Sequence, residues 1–291
     1  MSESPELSIV LPAHNEAESL PAVLAELRAL HAEAEIIVVD DGSSDDTGAR
    51  ALEAGADRVV THPYPIGNGA AIKDGARAAQ GEIIVFMDAD GQHRPTEVAK
   101  LLEALGDDYV MAVGARSGRA HANWGRRLAN GLYNTLASAV TGHRIADLTS
   151  GFRAVRNKRF QEILFLLPNG FSYPTTSTMA FFRAGFPVRF VPVEVAARGG
   201  AASHIRPLRD GSRFLLIILK VATLYSPLKI FTPAAAIFFC FGLGYYLYTY
   251  FTHHRFTNMS ALLFIVAGLV FLMGLIAEQI ANLLYANTGS K

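Results

Sequence analysis

The sequence predicts an α/β fold, a mostly parallel sheet with helices on both faces, followed by an interfacial amphipathic helix and a two-helix transmembrane hairpin. Three observations predict it. Short apolar runs alternate with segments of helical spacing across residues 7–105. Four strand ends carry polar clusters. Two long stretches near the end of the chain, residues 230–252 and 256–277, hold no Asp, Glu, Lys or Arg.

The elements follow in order. Residues 7–11, 36–39, 58–61 and 83–87 are apolar runs of strand length. Between them, residues 16–30, 45–54 and 70–79 repeat apolar positions at helical spacing, and 96–105 supply a further helix. Residues 1–211 read as one domain, 212–229 as an interfacial helix and linker, and 230–291 as the hairpin and tail. Within 212–225 eight large apolar residues accompany only Arg213 and Lys220, the pattern of a helix lying on a leaflet; a buried domain helix fits the same residues. The link His253-His254-Arg255 is so short that the two spans must run antiparallel. Arg206, Arg209, Arg213, Lys220 and Lys229 precede the hairpin, whereas its tip carries only Arg255. The positive-inside rule then places the N-terminal domain in the cytoplasm. Glu278 is expected at the same interface, near the start of the hairpin, in a structural role.

Bulk properties exclude several classes. The 291 residues allow one sizeable domain and an appendage. Lys and Arg (26) balance Asp and Glu (26), which leaves no nucleic-acid footprint. The one cysteine, Cys240, sits in an apolar stretch, so an internal disulfide is excluded. The nine histidines form no spaced zinc cluster. Residues 1–6 are polar and acidic and do not read as a secretory signal.

The most informative stretch is Asp88-Ala89-Asp90-Gly91-Gln92, at the end of the run over 83–87. Carboxylates at i and i+2, where a chain leaves a strand, can converge on one point. They repel unless a cation lies between them, and Mg²⁺ or Mn²⁺ shared with a diphosphate is the natural occupant. Gln92 adds a neutral oxygen. A strand followed by an Asp-rich turn fits the same residues. The other clusters are Pro12-Ala13-His14-Asn15-Glu16, Asp40-Asp41-Gly42-Ser43-Ser44, and Gly67-Asn68-Gly69 with Lys73 behind it. In a parallel sheet these ends share one edge, where glycines and helix N-termini favour phosphate. A turn with an N-cap also explains the second cluster, and a solvated helix position also explains Lys73. The dinucleotide fingerprint and the Walker motif are both missing, which disfavours a dehydrogenase and a P-loop enzyme.

Taken together, Pro-x-x-Asn-Glu, Asp-Asp-Gly-Ser, Gly-x-Gly and Asp-x-Asp-x-Gln-His resemble the family 2 glycosyltransferases, and within them the dolichol-phosphate mannose synthase and polyprenyl-phosphate glycosyltransferase group. The resemblance continues through Gly114-Ala115-Arg116, Arg126-Arg127-Leu128-Ala129-Asn130, Asp147 to Arg153 and the hairpin. It implies a Rossmann-like nucleotide-sugar transferase domain. Pro12, Asn15, Glu16, Asp41, Lys73 and Asp88 then surround a UDP- or GDP-linked sugar. Asp88, Asp90 and Gln92 hold Mg²⁺ or Mn²⁺. Arg116, Arg126 and Asn130 meet the acceptor's phosphate, with Arg198, Ser203 and Arg206, so that Asp88, Asp90, Arg116 and Arg126 carry the reaction. A homo-oligomer is compatible with this pattern.

The chain departs from the family where relatives show Arg-x-x-Gly-x-Ser-Lys: Ala201 replaces the glycine and His204 the lysine. After Gly170-Phe171, where many relatives are acidic, it has Ser172-Tyr173-Pro174-Thr175-Thr176, so a general-base carboxylate is not available there. A hydroxyl acceptor needs a base, whereas a lipid phosphate is already anionic and needs only positioning. The expected activity is therefore metal-dependent, inverting transfer of one sugar to a polyprenyl (dolichyl or undecaprenyl) monophosphate. Two other classes compete: a polysaccharide synthase, which needs more spans and a Gln-x-x-Arg-Trp motif that Trp124 does not provide, and a non-catalytic membrane scaffold, against which intact Asp88, Asp90 and Gln92 argue.

Overall fold

A computed structural model of the chain describes residues 5–116, 124–170, 172–194, 223 and 225–285, without the side chains of 124–130, 132 and 136. The interfacial segment 212–225 therefore lies almost wholly outside the described residues. The chain divides into two compact units, Met1–Ile205 and Arg206–Lys291.

The first unit is built on a seven-stranded sheet. Its strands are β1 (Leu7–Ala13), β2 (Glu35–Asp40), β3 (Arg58–Thr61), β4 (Ile83–Phe86), β5 (Met111–Arg116), β6 (Arg153–Arg156) and β7 (Val188–Val193). Their order is β3-β2-β1-β4-β6-β5-β7. Ile9, Val10 and Leu11 of β1 and Ile36, Ile37, Val38 and Val39 of β2 are buried without interruption. Continuous apolar runs of this kind mark strands covered on both faces, which is why the early strands form parallel pairs joined by helices. Those helices are α1 (Leu20–Leu30), α2 (Thr47–Glu53), α3 (Asn68–Ala78) and α4 (Val98–Leu105). They are followed by α5 (Trp124–Thr141), α6 (Asn157–Gln161) and α7 (Tyr173–Arg183).

Two features of this topology position the site. The chain passes from β1 outward to β2 and β3, then returns through α3 to β4 on the other side of β1. The crevice at such a reversal, outside the carboxyl ends of the strands, is where open α/β sheets bind ligands. Strand β6 alone runs antiparallel, pairing Phe86 with Arg153 against β4. The start of β6 therefore lies beside the end of β4, and the loop before β6 is delivered to the same edge.

The helix boundaries shift from the sequence expectation for local reasons. Helix α1 begins at Leu20 rather than 16, and the Glu16 amide donates to Thr47 Oγ1 at 2.9 Å, which ties residue 16 to the loop after β2. Helix α3 begins two residues early, at Asn68, after Gly67 with φ 125°. The expected helix over 96–105 opens with a single 3₁₀ turn, Pro95–Glu97. Seven residues after its start, α3 presses Gly75 onto the sheet: a Cβ there would lie 2.3 Å from Val10 Cγ1 and 3.1 Å from Val39 Cγ2.

The second unit contains α8 (Leu228–His253) and α9 (Asn258–Tyr285), each long and apolar enough to cross a membrane. Their buried residues recur every seven positions: Ala235, Gly242 and Thr249 on α8, and Ser260, Ala267, Gly274 and Ala281 on α9. This is a coiled-coil seam lined by small residues, which lets the backbones approach where no water drives association. A Cβ on Gly274 would stand 2.5 Å from Phe231 Cβ. Large apolar residues such as Phe241, Phe251, Ile276 and Leu283 face outward. Glu278 Oε2 accepts the Leu228 amide at 3.3 Å, so this carboxylate serves the first turn of α8, where backbone donors lack helical partners.

The contact under α3 gives a direct expectation. Gly75→Val should destabilise the first unit by about 1–3 kcal/mol, because the branched Val10 cannot move aside without strain. The measurement is the thermal unfolding midpoint of the full chain in detergent; a midpoint equal to wild type would contradict this packing.

Candidate active site

Four loops leave the carboxyl ends of β1, β2, β3 and β4 and meet at the crevice. The first carries Asn15, whose φ of 56° is left-handed, a region that asparagine tolerates better than most residues. Its Oδ1 accepts the Ser44 amide at 2.8 Å and the Ser44 hydroxyl at 3.1 Å, and its own amide donates to Ser43 Oγ at 2.9 Å. Asn15 thus fastens the first loop to the second. Ser19 joins the first loop to the fourth, its hydroxyl lying 2.5 Å from Glu16 Oε2 and 3.1 Å from the Ala89 carbonyl.

In the second loop Asp41 is buried. It accepts the amides of Ile66 and Gly67, each at 2.8 Å, and faces His62 Nδ1 at 2.7 Å. Burial pushes its carboxyl up, but these three donors outweigh burial and hold it below the ordinary range. The third loop must be glycine-rich because the segment 168–170 crosses it closely. A Cβ on Gly69 would lie 2.1 Å from the Pro168 carbonyl oxygen, and one on Gly67 2.5 Å from that of Asn169.

The fourth loop brings the paired carboxylates. Asp88 is approached by the Asn68 side chain and, from the loop before β6, by Gly151, where a Cβ would stand 3.5 Å from Asp88 Oδ2. Burial, and next the charge of Asp90, push the Asp88 carboxyl up to about 6. Gln92 donates its side-chain amide to Asp90 Oδ2 at 2.6 Å, which leaves its carbonyl oxygen as the end to offer a cation.

These loops enclose a cleft of about 630 Å³ lined by, among others, Pro12, His14, Glu16, Asp41, Asn68, Asp88, Asp90, Gln92, Thr149, Gly151 and Tyr173. Among the described residues no group of three His, Cys, Asp or Glu forms a metal cage. The donor set is instead two crowded carboxylates and an amide oxygen opening on a cleft. That set fits a hard cation that completes its shell with water and a substrate diphosphate.

Of the residues expected from the sequence, Pro12, Glu16, Asp41, Asp88, Asp90 and Gln92 therefore line one cleft. Asn15 and Lys73 do not line it. The Lys73 ammonium donates to the Leu167 carbonyl at 3.3 Å and to Asn169 Oδ1 at 2.5 Å, binding α3 to the segment that covers the third loop. Arg116 stands at the end of β5 with its fork engaged by Asp147, Nε at 2.8 Å and Nη2 at 3.0 Å, and with Nη2 also 2.5 Å from Thr149 Oγ1. Arg126 and Asn130 lie on α5, with side chains outside the described residues. Arg198, Ser203 and Arg206 also lie outside them.

Residues 8–164 match the model of Glycosyl transferase family 2, and residues 226–283 match that of the GtrB C-terminal hairpin. The chain belongs to glycosyltransferase family 2. It is 33% identical over 228 residues to the polyprenol monophosphomannose synthase of Mycolicibacterium smegmatis, covering 74% of this chain and 84% of that protein. It is 31% identical over 201 residues to the undecaprenyl-phosphate mannosyltransferase of Micrococcus luteus, covering 65% and 83%. Among solved structures it resembles glucosyl-3-phosphoglycerate synthase from Mycobacterium tuberculosis, crystallised with Mn²⁺, UDP-glucose and phosphoglyceric acid. The TM-score is 0.59 at 26% identity, over 75% of this chain and 80% of that one.

Three further residues of this glycosyltransferase lie beside the site, and the sequence assigns none of them a role in it. His62 backs Asp41. Arg153, fully buried, donates to the Pro174 carbonyl at 3.2 Å, to Ser177 Oγ at 2.5 Å and to the Ser150 carbonyl. Its guanidinium lies 5.6 Å from the ring centre of Tyr173. The Tyr173 hydroxyl, 3.3 Å from the Gly151 carbonyl, is pushed well above the ordinary phenol range by burial and then by the charge of Asp88. Arg153 ends the stretch Asp147 to Arg153 that carries the family resemblance, and it is a charged residue flanked by apolar ones in a short strand.

The raised Asp88 carboxyl has a signed consequence. Its ordinary value is 3.8 and its folded value about 6. Between these the folded state keeps a proton that the unfolded chain has released, so stability in the absence of a divalent cation falls as pH rises through that window. With EDTA present, wild type should lose stability relative to Asp88→Asn from about pH 4 to about pH 6 and then level off. Thermal unfolding of both proteins across pH checks this, and parallel profiles would contradict it.

Proposed function

We propose that this glycosyltransferase moves one sugar from a UDP- or GDP-linked donor to a polyprenyl monophosphate at the cytoplasmic face of a membrane. The observation that carries the reading is a single cleft holding both Asp41, a buried carboxylate suited to a nucleobase, and the Asp88–Asp90 pair, suited to a cation and diphosphate. The hairpin supports a lipid acceptor, because a long prenyl chain needs a bilayer and the two spans supply an anchor in it. The names of the two mannosyltransferase relatives agree with that acceptor. Arg206, Arg209, Arg213, Lys220 and Lys229, set against Arg255 at the tip, support the cytoplasmic orientation.

The division of labour follows from the donor groups. Asp88, Asp90 and Gln92 would hold Mg²⁺ or Mn²⁺, which when bound supplies the positive charge that a departing nucleoside diphosphate requires. Asp41 and the loop around Gly67 orient the nucleotide. An acceptor phosphate oxygen attacks the anomeric carbon as the bond from that carbon to the diphosphate breaks, and one displacement inverts the centre. The attacking oxygen is already anionic, so no side chain has to take a proton. Arg116, aimed by Asp147 and Thr149, acts with Arg126, Asn130, Arg198, Ser203 and Arg206 on the acceptor phosphate, a role suited to the planar guanidinium fork. Residues 1–211 perform the chemistry, 212–229 lie at the interface, and 230–291 hold the enzyme beside its lipid.

The test is a panel of radiolabelled UDP- and GDP-sugars incubated with the purified full chain, Mn²⁺ and undecaprenyl or dolichyl phosphate, reading label in extracted lipid. One donor should label the lipid, and Asp90→Asn should reduce the rate at least ~10²-fold, since the leaving charge loses its cation. Transfer to a hydroxyl or to a growing glycan instead of lipid phosphate would overturn the acceptor assignment. Near-normal turnover in the variant would remove Asp90 from the site.

A further inference from the structure

We propose that His62 is a positioning residue that fixes Asp41 to accept a ring N–H from the donor's nucleobase, with Asp74 as its anchor. The proposal rests on the donor-site reading above and adds how the base is selected. His62 follows β3 directly, and its amide donates to the Asp40 carbonyl at 2.9 Å, which places the ring behind the second loop. Its side chain is only 6% exposed. Nδ1 lies 2.7 Å from Asp41 Oδ1 and Nε2 lies 3.0 Å from Asp74 Oδ2. Carboxylates only accept, so both contacts are hydrogen bonds when both ring nitrogens donate. Arg77 Nη1 donates to the other Asp74 oxygen at 2.6 Å. The result is a ladder of polar contacts, Asp41–His62–Asp74–Arg77, running from the cleft to the outer surface of α3.

Counting acceptor positions shows what this ladder does. A carboxylate offers about four lone-pair positions. On Asp41, Oδ1 receives His62 and the Ile66 amide, and Oδ2 receives the Gly67 amide. One position remains, on Oδ2, and Asp41 lines the cleft. An acceptor held in this way rejects a lone pair as strongly as it welcomes a donor. Uracil and guanine carry a ring N–H on the edge that pairs; cytosine and adenine carry a lone pair there. With His62 removed, a second position opens on Oδ1 and the carboxylate loses the bond that keeps its plane from turning, so discrimination should fall together with affinity.

The experiment is calorimetric titration of the full chain in detergent, with Mn²⁺, against UDP, GDP, CDP and ADP, for wild type, His62→Gln and Asp74→Asn. Wild type should bind UDP over CDP, or GDP over ADP, by at least about tenfold, the discrimination expected of one well-placed hydrogen bond. In His62→Gln that ratio should shrink to about threefold or less as one charge-assisted bond to Asp41 is lost. Asp74 is 34% exposed, so Asp74→Asn tests the ladder from its tolerant end and decides the matter if His62→Gln does not fold. An intermediate ratio in Asp74→Asn supports the proposal. Full wild-type discrimination in either folded variant, whatever its stability, overturns it and leaves the ladder a purely structural tie. Failure of wild type to bind any of the four nucleotides would instead overturn the donor-site reading, and this inference with it.

Discussion

Two like charges set one residue apart on the rim of a sheet govern the arrangement of the N-terminal unit. Asp88 sits under cover of Asn68 and Gly151, and Asp90 stands beside it on the same cleft. Neither burial nor proximity favours an ionised pair. Local structure does only part of the work of relieving it: Asn68 bonds to Asp88, Arg116 and Arg153 exert opposite charge from a distance, and Gln92 caps Asp90. The remaining imbalance faces the cleft, toward the space a cation and diphosphate would occupy. A fold that tolerates this at the rim of its cleft stores the imbalance for a ligand to relieve.

The sheet topology is what assembles the neighbours of that pair. Parallel strands bring four loops to one edge, and the reversal around β1 opens the crevice between them. The single antiparallel strand, β6, contributes the fifth wall, because its start rather than its end reaches that edge and delivers Thr149 and Gly151. Close packing then fixes the distances. Gly75 lets α3 sit directly on Val10 and Val39, and Gly67 and Gly69 let the segment 168–170 lie over the third loop. The hairpin uses the same device separately, with Gly242 and Gly274 in its seven-residue seam.

The early strands were legible because parallel strands are apolar throughout, and the polar clusters were legible because each interrupts such a run abruptly. The two spans were equally plain from their lack of charge. What escaped the sequence depends on partners distant in the chain. Nothing near Lys73 announces that the Leu167 carbonyl and Asn169 lie across from it. Arg116 reads as an open guanidinium until Asp147, thirty-one residues later, is brought to it. His62 carries no local signal, since its two carboxylate partners come from different loops and helices. The strands β5, β6 and β7 were not predicted: β6 has four residues, two of them arginines, and its antiparallel course is dictated by its neighbours.

The central claim is that the Asp88–Asp90 edge holds a nucleoside diphosphate only through a divalent cation. The most direct measurement is equilibrium binding of UDP and GDP to the purified full chain, with Mn²⁺ and with EDTA. The account predicts saturable binding of one of the two nucleotides with Mn²⁺, and a loss of affinity of at least about 10²-fold with EDTA, because two uncompensated carboxylates then face the diphosphate. Equal affinity under both conditions would contradict it.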